Sequence, residues 1–469
     1  MWRGILAILA AAAASPLLVR TAPGYDPWSW LLWGREVAGG TLSTVAGPAF
    51  KPLPVAVCAL LAPLGSVAPV AWVVLVRAAA GVALWSAYRL GRALTAERVG
   101  LVAAADAPRW AGRAGGALAA IGVALAGRFA LEASRGSEAP LVIAGALGAI
   151  ACWRAGRLRA ALALGAACAL LRVEAWPFLA VAGVVAWRRE PGARVLVAAL
   201  AVAIPAAWFV PEWLGSGDAL RSGSRARIPN PDQPALADVP ALASLWAAAE
   251  LLLVPLWVGV VLAMRDPRCR AFAAAGGAWV LLVAVMAQAG FSGEPRYALP
   301  GVALLAVSGA AGLARAAAIV AAGAAPRRAV SGGAPWWRRA ALALAAAVLA
   351  IAAVPEVAEL ADVRSAQAHQ WALARDLDEA VRAAGGREAV LACGRPYVGP
   401  YRGPLMAYAL DVTKRTVEPD ARPQAPGVVF RARLTAAAAP APDAGPPFRP
   451  SARVGGGKSC GAAARIRVP

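Results

Sequence analysis

Apolar runs of near-bilayer length recur along this chain, and no other feature restricts its fold so strongly. Crossing the hydrocarbon core takes roughly 20 predominantly apolar helical residues. Such runs centre on residues 4–19, 68–90, 115–131, 139–153, 158–171, 174–187, 194–211, 241–264, 271–290, 297–316 and 340–355. Hydrophobic residues make up 60% of the 469, and mean hydropathy is +0.60. The expectation is an all-α polytopic membrane protein with about eleven transmembrane helices. Several runs are short and dense in Ala and Gly, which lets helix backbones approach closely. The first run lacks a convincing small-residue cleavage site after Val19, so it reads as an uncleaved helix rather than a signal peptide.

A net charge of +21 raises the question of nucleic acid. The distribution argues against it, because no basic stretch with interleaved aromatics lies outside the membrane loops. Almost all the cations are Arg, with Lys51, Lys414 and Lys458 the only lysines. One set of loops holds Arg89, Arg92, Arg98, Arg109 and Arg113, then Arg154, Arg157 and Arg159, then Arg188, Arg189 and Arg194. Arg265, Arg268, Arg270, Arg327, Arg328, Arg338 and Arg339 complete it. Every second loop is therefore basic, and the positive-inside rule puts the N-terminus in the cytoplasm and the C-terminus outside a bacterial plasma membrane. The transmembrane part spans 1–355. A small extracytoplasmic α/β domain is expected over 356–433, with an amphipathic helix near 362–384 and a strand-like "EAVLACG" (388–394). The Ala-, Pro- and Gly-rich tail, 434–469, has the composition of a disordered segment.

Ligands for a metal built from Cys and His are scarce. The six cysteines show no CxxC spacing, and His369 is the single histidine, expected on an exposed helix face. Cys393 and Cys460 alone fall in the polar C-terminal part, where an oxidising compartment would allow them to pair. No phosphate-binding glycine loop of the Walker type is present.

Five segments on the predicted outer side carry unusual residues: 25–36, 133–141, 170–176, 223–232 and 291–300. Asp26 has a plain reading as a helix-start carboxylate beside Pro27. Trp28, Trp30 and Trp33 read as an interfacial belt on a helix lying at the membrane surface, and Glu36 as a partner of Arg35. Arg172 and Glu174 sit between two short apolar runs, so the chain turns back at membrane depth. Charges there are costly and usually line a cavity or pair with one another. Glu294 and Arg296 flank Pro295 just before an apolar helix, with Tyr297 beside them. Arg221, Arg225 and Arg227 break the positive-inside pattern, and three outer guanidiniums suit an anionic partner such as a lipid phosphate, bound specifically or as a general headgroup contact.

The order of these segments resembles the GT-C-fold glycosyltransferases, integral membrane enzymes that take a sugar from a polyprenyl-phosphate carrier. Asp26 matches the acidic residue of their first outer loop, and "KPLP" (51–54), which contains Lys51, matches the Pro-rich segment that follows. "SRGSEAPL" (134–141), with Glu138, is similar to an "SGxExPL" stretch of bacterial arabinosyl- and mannosyltransferase-like members. "LLRVEAW" (170–176) and "EPRYALP" (294–300) resemble two later motifs, and the likeness extends over roughly residues 1–320. Many members have two adjacent acids in the first loop. Asp26 stands between Tyr25 and Pro27, so Glu36 would supply any second carboxylate.

The resemblance implies an inverting glycosyltransferase that moves a sugar from a polyprenyl-phosphate donor to a cell-envelope glycan, lipid or protein. Asp26 and Glu36 would be its catalytic acids, and Arg172, Arg296, Arg225 and Arg227 would hold the donor phosphate. Lys51, Glu138, Glu174, Glu294 and Tyr297 would contact other parts of the substrates. A divalent cation is an open requirement, its ligands unassigned. A lipid-linked-glycan flippase and a catalytically inactive membrane scaffold are the competing readings. A flippase would place charges through both halves of its spans, whereas here they cluster on one side.

Overall fold

The computed structural model describes residues 2–96, 109–322, 336–419, 422–435, 437–443, 448–454 and 461–465. Cys460, and with it the suggested pairing with Cys393, lies outside these residues, as do Arg98, Arg327 and Arg328. The N-terminal helices are α1 (Trp2–Leu18), α2 (Tyr25–Ala38), α3 (Pro52–Leu61), α4 (Ala68–Ala96), α5 (Arg109–Ala124), α6 (Phe129–Ser134), α7 (Ala139–Arg154), α8 (Leu158–Leu171) and α9 (Trp176–Arg189). They are followed by α10 (Arg194–Ser216), α11 (Arg221–Ala226), α12 (Pro240–Glu250), α13 (Val254–Ala263), α14 (Pro267–Gln288) and α15 (Leu299–Ala322). The C-terminal part holds α16 (Trp336–Ala383), α17 (Gly386–Ala392) and α18 (Gly403–Ala409) with a small sheet.

All eleven apolar runs contribute helix. Among the described residues, four segments are both long and apolar enough to cross a membrane: Pro52–Ala96, Pro191–Ser216, Pro267–Gln288 and Leu299–Ala321. Gly4–Leu18, α7 and α8 are apolar but shorter. The run over 241–264, expected as one span, is instead α12 and α13 bent by 98°. Pro255 in the first turn of α13 has no amide hydrogen to carry the helix through the break. The run over 115–131 stops being α5 at Ala124 and turns before α6.

Glycines set the closeness of the bundle, as the composition suggested. A Cβ on Gly259 would lie 2.1 Å from the carbonyl oxygen of Gly309, and one on Gly91 would lie 2.7 Å from that of Gly115. Only hydrogen fits between α13 and α15, or between α4 and α5. Leu252, Leu256, Val260, Val302, Leu305 and Ala306 fill the core beside these contacts.

The C-terminal domain departs from the sequence expectation in three places. α16 runs unbroken through Pro355, so the proposed 355/356 boundary falls inside a helix. "EAVLACG" is not a strand, because its Glu, Ala and Leu favour helix and form α17. The first strand comes only after Gly394. The strands are β1 (Arg395–Val398), β2 (Glu418–Pro419), β3 (Gly427–Arg433), β4 (Pro440–Ala441), β5 (Arg449–Val454) and β6 (Gly461–Arg465). Their order is β2-β1-β3-β6-β5, with β1 parallel to β3 and β6 antiparallel to β3, while β4 pairs with β3. Residues of the tail expected to be disordered thus extend the sheet through β5 and β6, since backbone pairing with β3 does not require an apolar composition. His369 is half-buried, and its ring nitrogen meets the carbonyl of Arg433 at 3.2 Å.

α2 joins the two parts. Leu32 belongs to the same core as Val381, Met406, Leu410, Val428 and Phe430. Arg35 donates to the carbonyl of Tyr408 at 3.0 Å and pairs with Asp411 at 3.0 Å. The expected interfacial belt is therefore corrected. Trp30 and Trp33 are buried, Trp30 edge-on to Trp72 and Trp33 against Phe50 with its indole donating to the carbonyl of Ser43. Enclosure between α3, α4 and α18 takes their rings away from any lipid interface.

Candidate functional site

A cavity of about 920 Å³ opens where four of the five unusual segments meet the loop before α3; 133–141 does not line it. Asp26, Lys51, Arg172, Glu174, Arg225, Arg227, Glu294, Arg296 and Tyr297 all line it. Nine residues named from sequence are thus gathered from five stretches of chain. Glu36 and Glu138 are the two that do not line it.

Asp26 sits in the first turn of α2 and lines the cavity. Gly24 occupies the N-cap position, so Asp26 is not the cap that the Asp-Pro pair suggested. Its carboxylate accepts from Arg296 at 2.8 Å, and both side chains are nearly buried. Arg296, in the short turn before α15, also meets Glu294 at 2.8 Å and approaches Glu132 at 3.9 Å. Burial works against its charge, but Glu294, Tyr297 and Asp26 outweigh that and hold its proton more firmly than usual.

Arg172 leaves α8 in an extended conformation, where the helix ends and the chain turns toward α9. It forms a two-pronged pair with Glu174 and reaches Glu138 at 3.0 Å. Its guanidinium lies 3.5 Å from the centre of the Tyr297 ring, and that of Arg296 lies 5.2 Å from it. Tyr297 therefore separates two guanidiniums and keeps both in register through cation–π contact. Lys51 ends the approach to α3, bonded to Glu138 with its ammonium 5.2 Å from the Trp30 ring. Burial opposes a charge on Glu138, yet Lys51, Arg296 and Arg172 hold its carboxyl well below the usual carboxylate range. Glu138 is a counter-ion behind the cavity wall, orienting Lys51 and Arg172.

Arg225 and Arg227 differ from these buried cations. Arg225 donates to the carbonyl of Ile228 at 3.1 Å, and Arg227 lies over the Phe291 ring at 5.0 Å. Among the described residues neither has a carboxylate partner. The cavity lining carries five cations against Asp26, Glu174 and Glu294. The excess is positive, and it sits at the accessible rim. Arg221, grouped with them in sequence, is committed elsewhere. It donates to the carbonyls of Thr44 and Pro48 and lies 3.6 Å from Glu212, fastening the 44–48 loop to α10.

The expectation that Glu36 supplies a second catalytic carboxylate does not fit its position. Ten residues along α2 from Asp26, it is displaced by about 15 Å along the helix axis. It is buried and accepts from the amide of Ser43 at 3.0 Å, closing the loop after α2. That burial pushes its carboxyl up to about 7, against the lowering effect of the Ser43 bond and Arg35. Nor does an acidic group converge as a metal site would require. Among the described residues no three His, Cys, Asp or Glu side chains stand close enough to hold a metal ion. The acids at the cavity are already engaged by guanidinium or ammonium groups.

Three further components surround the site; sequence reasoning puts Glu132 at the outer end of the third apolar run without giving it a role, and passes over the other two. Glu132 is fully buried, within 3.0 Å of Arg135 and 3.6 Å of Arg128, and forms the second layer behind Arg296. Glu212, buried and bonded to Ser222 and Thr44, interrupts an apolar run, and the cost of a charge there was a readable signal. Tyr401 reaches the cavity from the C-terminal domain, and no local pattern marks it. One part of the wall is apolar: Leu171, Trp176, Trp208, Phe209, Val283 and Met286.

No protein-family model matches this sequence, and no curated protein sequence does. Among solved structures the chain is similar to ArnT from Cupriavidus metallidurans bound to undecaprenyl phosphate. The similarity has a TM-score of 0.53 at 15% identity, and covers 98% of this chain and 97% of that one. The GT-C-type fold that the order of the motifs suggested over roughly residues 1–320 is thus shared with that structure over nearly the whole chain.

Proposed function

We propose that the protein is an inverting glycosyltransferase that moves a sugar from a polyprenyl-phosphate carrier to a cell-envelope acceptor at the outer face of the plasma membrane. The observation carrying this reading is the cavity itself. It joins an apolar wall, suited to an isoprenoid chain, to a rim with two guanidiniums lacking carboxylate partners and to one carboxylate in reach of both regions. The basic loops support an N-terminus in the cytoplasm and a C-terminal domain outside, over the cavity mouth.

In the reaction the acceptor oxygen attacks the anomeric carbon while the bond from that carbon to the phosphate oxygen breaks. The acceptor's proton passes to Asp26, and the leaving polyprenyl phosphate gains one negative charge. Attack from the face opposite the leaving group inverts the anomeric centre. Arg225 and Arg227 would receive the phosphate first, because binding it costs them no existing ion pair. Arg296 would then exchange Asp26 for a phosphate oxygen, which frees the carboxylate to act as base. Guanidiniums already in place need little reorganisation as charge develops, which is the effective form of electrostatic catalysis. Arg172 would complete the cationic wall, fixed by Glu138 and Glu174. With the cavity acids held by cations, we write the reaction without a divalent metal.

Reconstitution tests this directly. Proteoliposomes given a labelled polyprenyl-phosphate sugar and an envelope extract should release polyprenyl phosphate, and Asp26→Asn should abolish most of that release. Equal release from wild type and Asp26→Asn would refute the assignment, and movement of intact donor across the bilayer without release would support the flippase instead.

A further inference from the structure

The cavity has a third face, neither apolar nor strongly cationic, that the donor does not account for. It is lined by Tyr25 and Tyr401, which touch each other, and by Asn230 and Gln233 from the loop after α11. Tyr401 lies in the turn between β1 and α18, and 41% of it is exposed. Its φ is 59°, in the left-handed region that a bulky residue adopts only at a cost. That conformation holds an aromatic ring over the cavity mouth. Tyr25 meets it edge-on, with centroids 6.0 Å apart and an interplanar angle of 90°. Lys414 braces Tyr25, its ammonium 5.4 Å from the Tyr25 ring centre. Tyr25 is the neighbour of Asp26 in the chain, so this aromatic corner adjoins the proposed base.

We propose that this corner is the acceptor subsite, and that it takes a carbohydrate chain. The inference rests on the glycosyltransferase reading above. A pyranose or furanose ring presents one face of C–H groups and a perimeter of hydroxyls. An exposed tyrosine ring suits the first, and side-chain amides suit the second. Asn230 is exposed, and Gln233 uses its carbonyl oxygen on the backbone amide of Asn230, leaving its NH₂ for a ligand. A lipid acceptor held by its tail would need apolar surface, but the apolar part of the wall, with Trp176 and Trp208, is already taken by the donor's isoprenoid chain in the reading above. The C-terminal domain, through Tyr401, thereby takes part in choosing the acceptor.

The test uses the full-length protein in nanodiscs with two separate probes. One is a panel of synthetic di- to tetrasaccharides of mannose, arabinose, galactose and N-acetylglucosamine, read by saturation-transfer NMR. The other is undecaprenyl phosphate, read by tryptophan fluorescence. At least one oligosaccharide should bind wild-type protein with its ring C–H protons most strongly saturated. Tyr401→Gly, which relieves the left-handed backbone while removing the ring, should weaken that binding about ten-fold. Tyr401→Phe should restore it, and both variants should bind undecaprenyl phosphate as wild type does. The proposal is overturned if no oligosaccharide binds, if a Ser/Thr-containing peptide binds in its place, or if Tyr401→Gly leaves oligosaccharide affinity unchanged. Failure of undecaprenyl phosphate to bind, with Tyr401-dependent oligosaccharide binding intact, would instead remove the donor assignment and keep this subsite.

Discussion

Asp26→Asn should move lipid binding and sugar transfer in opposite directions. Arg296 is shared among Asp26 at 2.8 Å, Glu294 at 2.8 Å and Glu132 at 3.9 Å. A donor phosphate that uses Arg296 must compete with Asp26. Bare attraction between unit charges about 4 Å apart is ~4 kcal/mol at an effective dielectric of 20. The net value of one charge-assisted hydrogen bond is smaller, about 1.5–3 kcal/mol. Asn keeps some of that bond, and Glu294 and Glu132 remain, so removing the competing charge should release about 1–2 kcal/mol. Undecaprenyl phosphate should therefore bind roughly 5- to 30-fold more tightly to Asp26→Asn. Loss of the base should lower single-turnover transfer by about 10²- to 10⁴-fold in the same preparation. Fluorescence titration gives the first quantity and quenched-flow release of polyprenyl phosphate the second. Weaker or unchanged lipid affinity would refute the exchange of Arg296 between Asp26 and phosphate.

Replacing both Arg225 and Arg227 by Ala should weaken undecaprenyl phosphate by about ten-fold or more and flatten the salt dependence of binding, whereas Arg221→Ala should mainly lower thermal stability. Glu36→Gln should leave lipid affinity close to wild type, which a titration beside Asp26→Asn would check. Its effect should appear in stability against pH. Burial lets the folded protein hold the Glu36 proton up to about 7, above the ordinary glutamate value of 4.5. The folded state thus binds more protons between these values, so this contribution is full below about 4.5 and is lost as pH rises toward 7. Glu36→Gln should remove that loss, at most a few kcal/mol, and melting curves at pH 5 and pH 8 would converge. For topology, an impermeant maleimide on spheroplasts should label Glu388→Cys on the C-terminal domain but not Arg157→Cys between α7 and α8.

What was readable in advance follows from how local each signal is. Helical runs of apolar residues need no partner to be recognised, so the bundle could be anticipated helix by helix. Arg172, Glu174, Glu294 and Arg296 were visible because a charge beside a short apolar run demands an explanation wherever it folds. Trp30 and Trp33 were misplaced because what buries them lies on other elements, Trp72 on α4 and Phe50 in the loop before α3, which no pattern within α2 reveals. Glu36 looked like a second acid for the same reason, since only the helix axis separates it from Asp26. α17 and the strands of the tail are short segments whose state depends on tertiary pairing rather than on periodicity. Tyr401 carries no local mark at all. It becomes significant only when the turn after β1 is seen to reach Tyr25.

Whether this cavity holds a polyprenyl-phosphate-linked sugar can be read by native mass spectrometry of the detergent-purified protein. Wild-type protein should carry a co-purified adduct that fragments to a polyprenyl phosphate and a sugar. The adduct should be lost when Arg225 and Arg227 are both changed to Ala, and retained or enriched in Asp26→Asn. Bound lipid consisting only of phospholipid, equal in all three proteins and undisplaced by added undecaprenyl phosphate, would contradict the account.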